Sequence, residues 1–316
     1  RSADALFPYL SQYRNAARMF AAEARVAAAD GKPGEAIQRS LDAVELGSRL
    51  GRGAPVLHHL VAVAVSAIGV AGAERNVSAL SAAETRVAGR RLDRILAQFP
   101  GLADALQEER KWGLAALREV ATGKVPFDVS LTGEPASLQE KAMGLALQYF
   151  YPKSWAHSAM NDYLNATIAE AKRPFPLRKP VPLPTDPYVQ GLAMEFGLVG
   201  TVFAKNDAQL RLLRLELALQ EYRQRHGRFP PTLAQLSPEV MEAMPLDPFT
   251  EKPLVYRPRG RGYVLYSVGP DGVDNGGTPI SPGSMGPTAA GDLVAGRLFQ
   301  RRRAPAPAPQ PRSGTR

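Results

Sequence analysis

The sequence predicts an α+β protein: an N-terminal all-α helical bundle, a proline-rich connection, then a long helix packed on a small antiparallel sheet. Three observations predict it. Residues 1–172 divide into stretches of helical periodicity separated by glycine, proline and capping residues. Residues 173–187 hold six prolines in fifteen positions, each removing an amide donor and pushing its predecessor out of helical space. Beyond residue 253 the periodicity shifts to short alternating runs about a glycine turn. The 316 residues fit two domains, with expected boundaries at 1–172, a linker at 173–187, an α+β module at 188–278 and a flexible basic tail at 279–316.

Taken in order, Tyr13 to Asp30 is alanine-rich and helical until Gly31-Lys32-Pro33-Gly34 breaks it. Glu35 to Leu50 follows, with Ala36, Ile37, Leu41, Val44 and Leu46 on one apolar face. Gly53 to Ala73 runs for 21 residues without a formal charge. That is long enough to span a membrane, and equally what a helix buried on all sides of a bundle looks like. Its Ala, Val and Gly content, with His58 and His59 in the first turns, favours the buried helix. Ser81-Ala82-Ala83-Glu84 and Ser137-Leu138-Gln139-Glu140 are capping boxes, opening helices toward Phe99 and Phe150. Between them a helix runs from Leu102 to Thr122, and Ser154 starts another carrying Trp155, Met160, Tyr163 and Ile168.

After the prolines a helix is expected from Val189 to Arg225, with leucines on both sides and Gly227 as the left-handed stop. Thr232-Leu233-Ala234-Gln235 reads as a short capping box for one helical turn, and Ser237-Pro238-Glu239 opens another. Asp247-Pro248-Phe249-Thr250 signals a tight turn. Pro253–Arg257 and Tyr263–Ser267 then read as hairpin strands about Arg259-Gly260-Arg261-Gly262.

Charge and composition exclude several functions. The chain carries 39 basic and 30 acidic residues, a formal +9. Six of the arginines lie in residues 297–316, which hold no acid, leaving +3 for everything else. A nucleic-acid interface needs its basic residues on a folded face, so no nucleic-acid partner is expected. Cysteine is absent, which removes disulfides, thiolate metal sites and cysteine nucleophiles. Phosphate-cradling glycine loops, the GxSxG elbow and HExxH are missing too. His58 and His59 are adjacent, so on a helix they diverge and cannot share a metal. The chain is expected not to be an enzyme. The chain opens on Arg1 rather than methionine and is read as processed or trimmed, with membrane association possible through a segment before Arg1.

Two segments resemble known families. AAADGKPGEAIQRSLDAVELG resembles one helix–turn–helix unit of a tetratricopeptide array, without a following 34-residue repeat. The second resemblance is stronger and covers about residues 209–275. Leu219-Gln220-Glu221-Tyr222-Arg223 with His226-Gly227-Arg228-Phe229-Pro230, then Met244-Pro245-Leu246-Asp247-Pro248-Phe249 with Lys252-Pro253-Leu254-Val255-Tyr256, then Leu265-Tyr266-Ser267-Val268-Gly269-Pro270-Asp271-Gly272 come in that order. Together they resemble the C-terminal globular domain of type II secretion major pseudopilins. The family's processing glycine and its long N-terminal apolar helix have no counterpart. The whole chain is similar to bacterial envelope proteins that join a helical N-terminal region to such an end.

The resemblance implies a long helix folded onto a small sheet, and a calcium ion (Ca2+) bound by the loop after the hairpin. On the matching positions it points to Asp271 and the Val268 carbonyl. The family's downstream acidic pair has no clean match; the further candidate ligands are Asp274 and Asn275, which come earlier in the chain than that pair, and Asp292, which follows a glycine- and proline-rich insertion. It implies an extracytoplasmic place, in the cell envelope or periplasm, protein partners, and a structural or interaction role. Membership of a type II secretion or pilus-like system is the first alternative. An active site in the helical domain is the second.

Overall fold

A computed structural model describes residues 8–121, 153–186, 189, 196–281, 286 and 288–296. The architecture is α+β: helices α1 (Pro8–Ala29), α2 (Pro33–Gly51), α3 (Val56–Glu74), α4 (Ala82–Leu96), α5 (Leu102–Ala121), α6 (Lys153–Ala171) and α7 (Phe196–His226), then strands β1 (Val255–Arg259), β2 (Gly262–Ser267) and β3 (Leu293–Val294). The second capping box, at Ser137, and the basic end from 297 onward lie outside the described residues.

Local chemistry sets the helix ends. Gly31 turns α1 into α2 at φ +73°, a conformation only glycine adopts without cost. At the start of α4 the Ser81 hydroxyl accepts from the Glu84 amide, while the Ser81 amide donates to Glu84 Oε2 at 2.8 Å. Both halves of the predicted capping box are therefore present. Gly227 closes α7 at φ +71°, its amide donating to Arg223 O at 2.8 Å, as a left-handed helix stop requires.

α7 organises the core because it is apolar on more than one side. Leu210, Leu213 and Leu217 pack with Ile37 and Leu41 of α2, Val70 of α3 and Leu92 of α4. Leu212, Leu215, Leu219 and Tyr222 pack with Leu236, Leu254 and Leu265 beneath the sheet. Phe196 and Val199, at its start, join Leu106 of α5 and Met160, Tyr163 and Leu164 of α6. α3 is long and apolar enough to cross a membrane, and in this fold more than half of that stretch is buried, between α2 and α7.

The sheet is antiparallel, in the order β1-β2-β3. Val255 pairs with Tyr266 and Arg259 with Gly262, so the hairpin lies where the sequence puts it, its first strand shifted by two residues. Three local expectations change. Ser237 to Val240 forms a turn instead of a second short helix, and the Thr232 side chain caps nothing at the 3-10 turn Leu233–Leu236. The chain after 278 is not all tail: β3 pairs Tyr266 with Val294 and Ser267 with Leu293, so the lobe extends to Gly296.

Candidate functional site

The loop after β2 is built on one buried carboxylate. Asp247, 1 % exposed, accepts from the Val268 amide at 2.9 Å, the Ser267 hydroxyl at 2.9 Å and the Phe249 amide at 3.0 Å. It ties the Asp-Pro turn to the end of β2 and fixes where the loop departs. The chain returns after residue 286 through Gly291, where a Cβ would stand 2.8 Å from the Ile280 backbone and φ is +114°. No other residue fits there without moving the backbone. Asp292 then donates its amide to Thr278 O at 2.7 Å and accepts from the Ile280 amide at 3.2 Å.

This return brings four of the five sequence-predicted ligands together. Asp292 accepts through Oδ1 from the Asn275 amide and through Oδ2 from the Gly277 amide. Asp271 accepts from the Val273 amide, from Asn275 Nδ2 at 3.1 Å and from the Gly291 amide at 3.4 Å. Asp274 accepts from the Tyr266 hydroxyl at 2.7 Å, the Gly276 amide at 2.8 Å and Arg257 Nη2 at 2.9 Å. The fifth, Val268, is tied through its amide to Asp247, and its side chain packs with Phe249 on Ala204 and Ala208 of α7.

The electrostatics follow first from burial and then from the neighbouring acids. Burial, followed by repulsion from Asp274 and Asp271 against two stabilising amides, raises the Asp292 carboxyl above its ordinary value. The Tyr266 hydroxyl and the Gly276 amide hold the Asp274 carboxyl below its own, while burial and then Asp274 push the Tyr266 phenol up to about 12. Oxygen donors from three carboxylates and an amide side chain suit a hard cation such as calcium in kind, and the repulsion at Asp292 is what a cation would relieve. Each carboxylate oxygen now accepts a hydrogen bond from the protein instead. Among the described residues no three Asp, Glu or His side chains already close on a common metal position.

Asp247, Arg257 and Tyr266 are parts of this site that sequence reasoning missed. The signal for Asp247 was visible as a turn, closed by the Phe249 amide two residues on, but its other two donors, Ser267 and Val268, lie about twenty residues further along. The histidines diverge as expected. His58 meets the Tyr9 hydroxyl at 3.0 Å. His59 is buried and stacks on Phe203 of α7 at 5.6 Å, and burial pushes its pKa down to about 4.

Comparison with protein-family models, with curated proteins and with solved structures finds no match to this chain.

Proposed function

We propose that the chain is a non-catalytic structural or interaction protein of the bacterial cell envelope, whose C-terminal lobe is a pseudopilin-like module stabilised by calcium. The helical bundle serves as its platform toward protein partners. One observation carries the reading: Asp292 comes back to the Asp271–Asn275 loop although a glycine- and proline-rich stretch separates them in sequence. An acidic loop reassembled from two separate segments, in which burial first and then the neighbouring carboxylates raise the Asp292 carboxyl, is consistent with a cation at that position. Extracellular calcium modules work in the millimolar range, which suits an extracytoplasmic protein. Asp271 and Asp292 would supply carboxylate oxygens and Asn275 its side-chain carbonyl, whereas Asp274 also answers to Arg257.

The test is thermal unfolding of the full chain in EDTA, in millimolar calcium and in millimolar magnesium, for the parent and for Asp292→Asn. Calcium should raise the midpoint by several degrees in the parent, more than magnesium does. Asp292→Asn should remove the calcium increment while staying folded in EDTA. Equal midpoints in EDTA and calcium for the parent would overturn the calcium part of the proposal.

A further inference from the structure

The proline-rich connection does more than span a distance. Its 3-10 turn at Phe175–Leu177 folds Arg178 back over the end of α6. There Nε donates to Arg173 O at 2.9 Å and Nη2 to Ala171 O at 3.1 Å, and the guanidinium carbon lies 5.6 Å from the centre of the Phe175 ring. No carboxylate accepts a hydrogen bond from Arg178 among the described residues, and Asp207 acts on it only through space. Burial pushes its pKa down, yet an arginine stays charged at any physiological pH. Nη1 makes no hydrogen bond among the described residues. It stands 3.6 Å from where a Cβ on Gly200 would be.

Around that nitrogen is a cavity of about 480 Å³. Its apolar wall is Tyr163, Phe175, Val181, Phe196 and Phe249, with Gly200 opening the helix side. The polar groups of the wall are largely spent. Thr167 and Thr201 donate their hydroxyls to Tyr163 O and Gly197 O. Glu170 takes Arg173 and the Lys179 amide, and Asp271 takes the loop donors already described. What is left is one unmatched guanidinium in an aromatic and aliphatic surround, with Lys179 exposed at the rim.

We infer that this cavity binds a small amphiphilic carboxylic acid, its carboxylate on Arg178 and its apolar body among Tyr163, Phe175, Val181, Phe196 and Phe249. A charge held against apolar surface without a hydrogen-bonded counter-charge is costly, and a carboxylate is the planar partner that a guanidinium fork fits best. The volume and lining are those of small-molecule sites. The inference does not depend on calcium or on the envelope reading.

Decanoate and 1-decanol, which share a chain and differ in the charged head, are the probes, titrated calorimetrically into the full-length protein below their aggregation limits. Decanoate should bind one per chain, at least tenfold more tightly than decanol. Arg178→Gln should bring decanoate down to the level of decanol. Because that variant also loses two bonds to carbonyls, Gly200→Leu serves as a second. A Cβ at 200 meets only ordinary contacts, 3.5 Å from Leu102 and 3.6 Å from Arg178, so the larger side chain is expected to intrude on the cavity beside the guanidinium and to weaken decanoate binding at least tenfold while the thermal midpoint holds. Absence of saturable binding, several equal sites per chain, equal affinity for decanoate and decanol, or undiminished binding in Gly200→Leu would each overturn the assignment.

Discussion

Two carboxylates on the C-terminal lobe show how a single residue's partners decide its energetic sign. Asp247 is buried and satisfied by three donors. Glu216 is buried on α7 with Oε2 lacking any partner among the described residues, and Oε1 lies 3.7 Å from where a Cβ on Gly296 would be. Burial, and then the charge of Glu74, hold its carboxyl well above the ordinary value of 4.5. The folded state therefore keeps a proton there that the unfolded chain releases. The stability tied to this group is complete below about pH 4.5 and falls as pH rises toward the folded-state value. Glu216→Gln removes the ionisation while preserving the shape. It should leave urea stability at pH 4 nearly unchanged and raise it at pH 8 by on the order of 1–3 kcal/mol, the usual cost of an unsatisfied buried polar group. A variant that follows the parent's pH profile unchanged would show that Glu216 does not control it.

At the scale of elements, the crossing of α2 and α3 explains why α3 is built from small residues. A Cβ on Gly69 would stand 2.6 Å from Ser40 O and 2.7 Å from Val44 Cγ2, and one on Gly47 would stand 2.6 Å from Ala62 O. The two backbones touch because those side chains are missing. Gly113, in α5, has nothing nearer than 3.9 Å to its missing Cβ. The same substitution should thus have opposite effects. Gly69→Ala should destabilise by about 1–3 kcal/mol through overpacking, and Gly113→Ala should stabilise by up to about 1 kcal/mol through helix propensity. Chemical denaturation of the two variants side by side checks both signs. Stabilisation by Gly69→Ala would refute the close crossing.

The same contrast explains what the sequence could convey. The helices, the Ser81 box, the Gly227 stop and the hairpin are written locally, in caps and periodicity, and were legible. The crossing was not, because an Ala/Gly run reads alike for a membrane span and for a tight helix pair. β3 was hidden for another reason: two residues pair with β2 across a glycine- and proline-rich excursion that carries no strand pattern of its own. Of the candidate site, Asp271, Asp274, Asn275 and Asp292 could be named from the resemblance, but Asp247, Arg257 and Tyr266 could not. Their roles exist only once the hairpin is closed. Arg178 lay in a segment whose prolines predict a spacer, and only tertiary packing gives it a cavity to face.

On the whole molecule, the sequence boundary at the prolines divides the chain but not the core. α7 is held to the helical bundle by Arg214 on Asp93 at 2.6 and 3.0 Å, by Arg86 on Glu221 at 3.2 Å, and by Gln220 and Gln224 on the carbonyls of Ser78 and Leu80. Its Leu210, Leu213 and Leu217 belong to the bundle core, while Leu212, Leu215 and Leu219 on another side belong to the lobe. Cutting before α7 would bare the first set as a contiguous apolar stripe, the kind of surface that drives self-association. A fragment spanning 196–296 should consequently lack a cooperative monomeric unfolding transition. The full chain should lose helix signal and near-ultraviolet aromatic signal together in one transition. Both readouts are accessible by circular dichroism with sedimentation of the fragment. A fragment that unfolds cooperatively as a monomer would mean that α7 stands without the bundle, and that the two cores are separable after all.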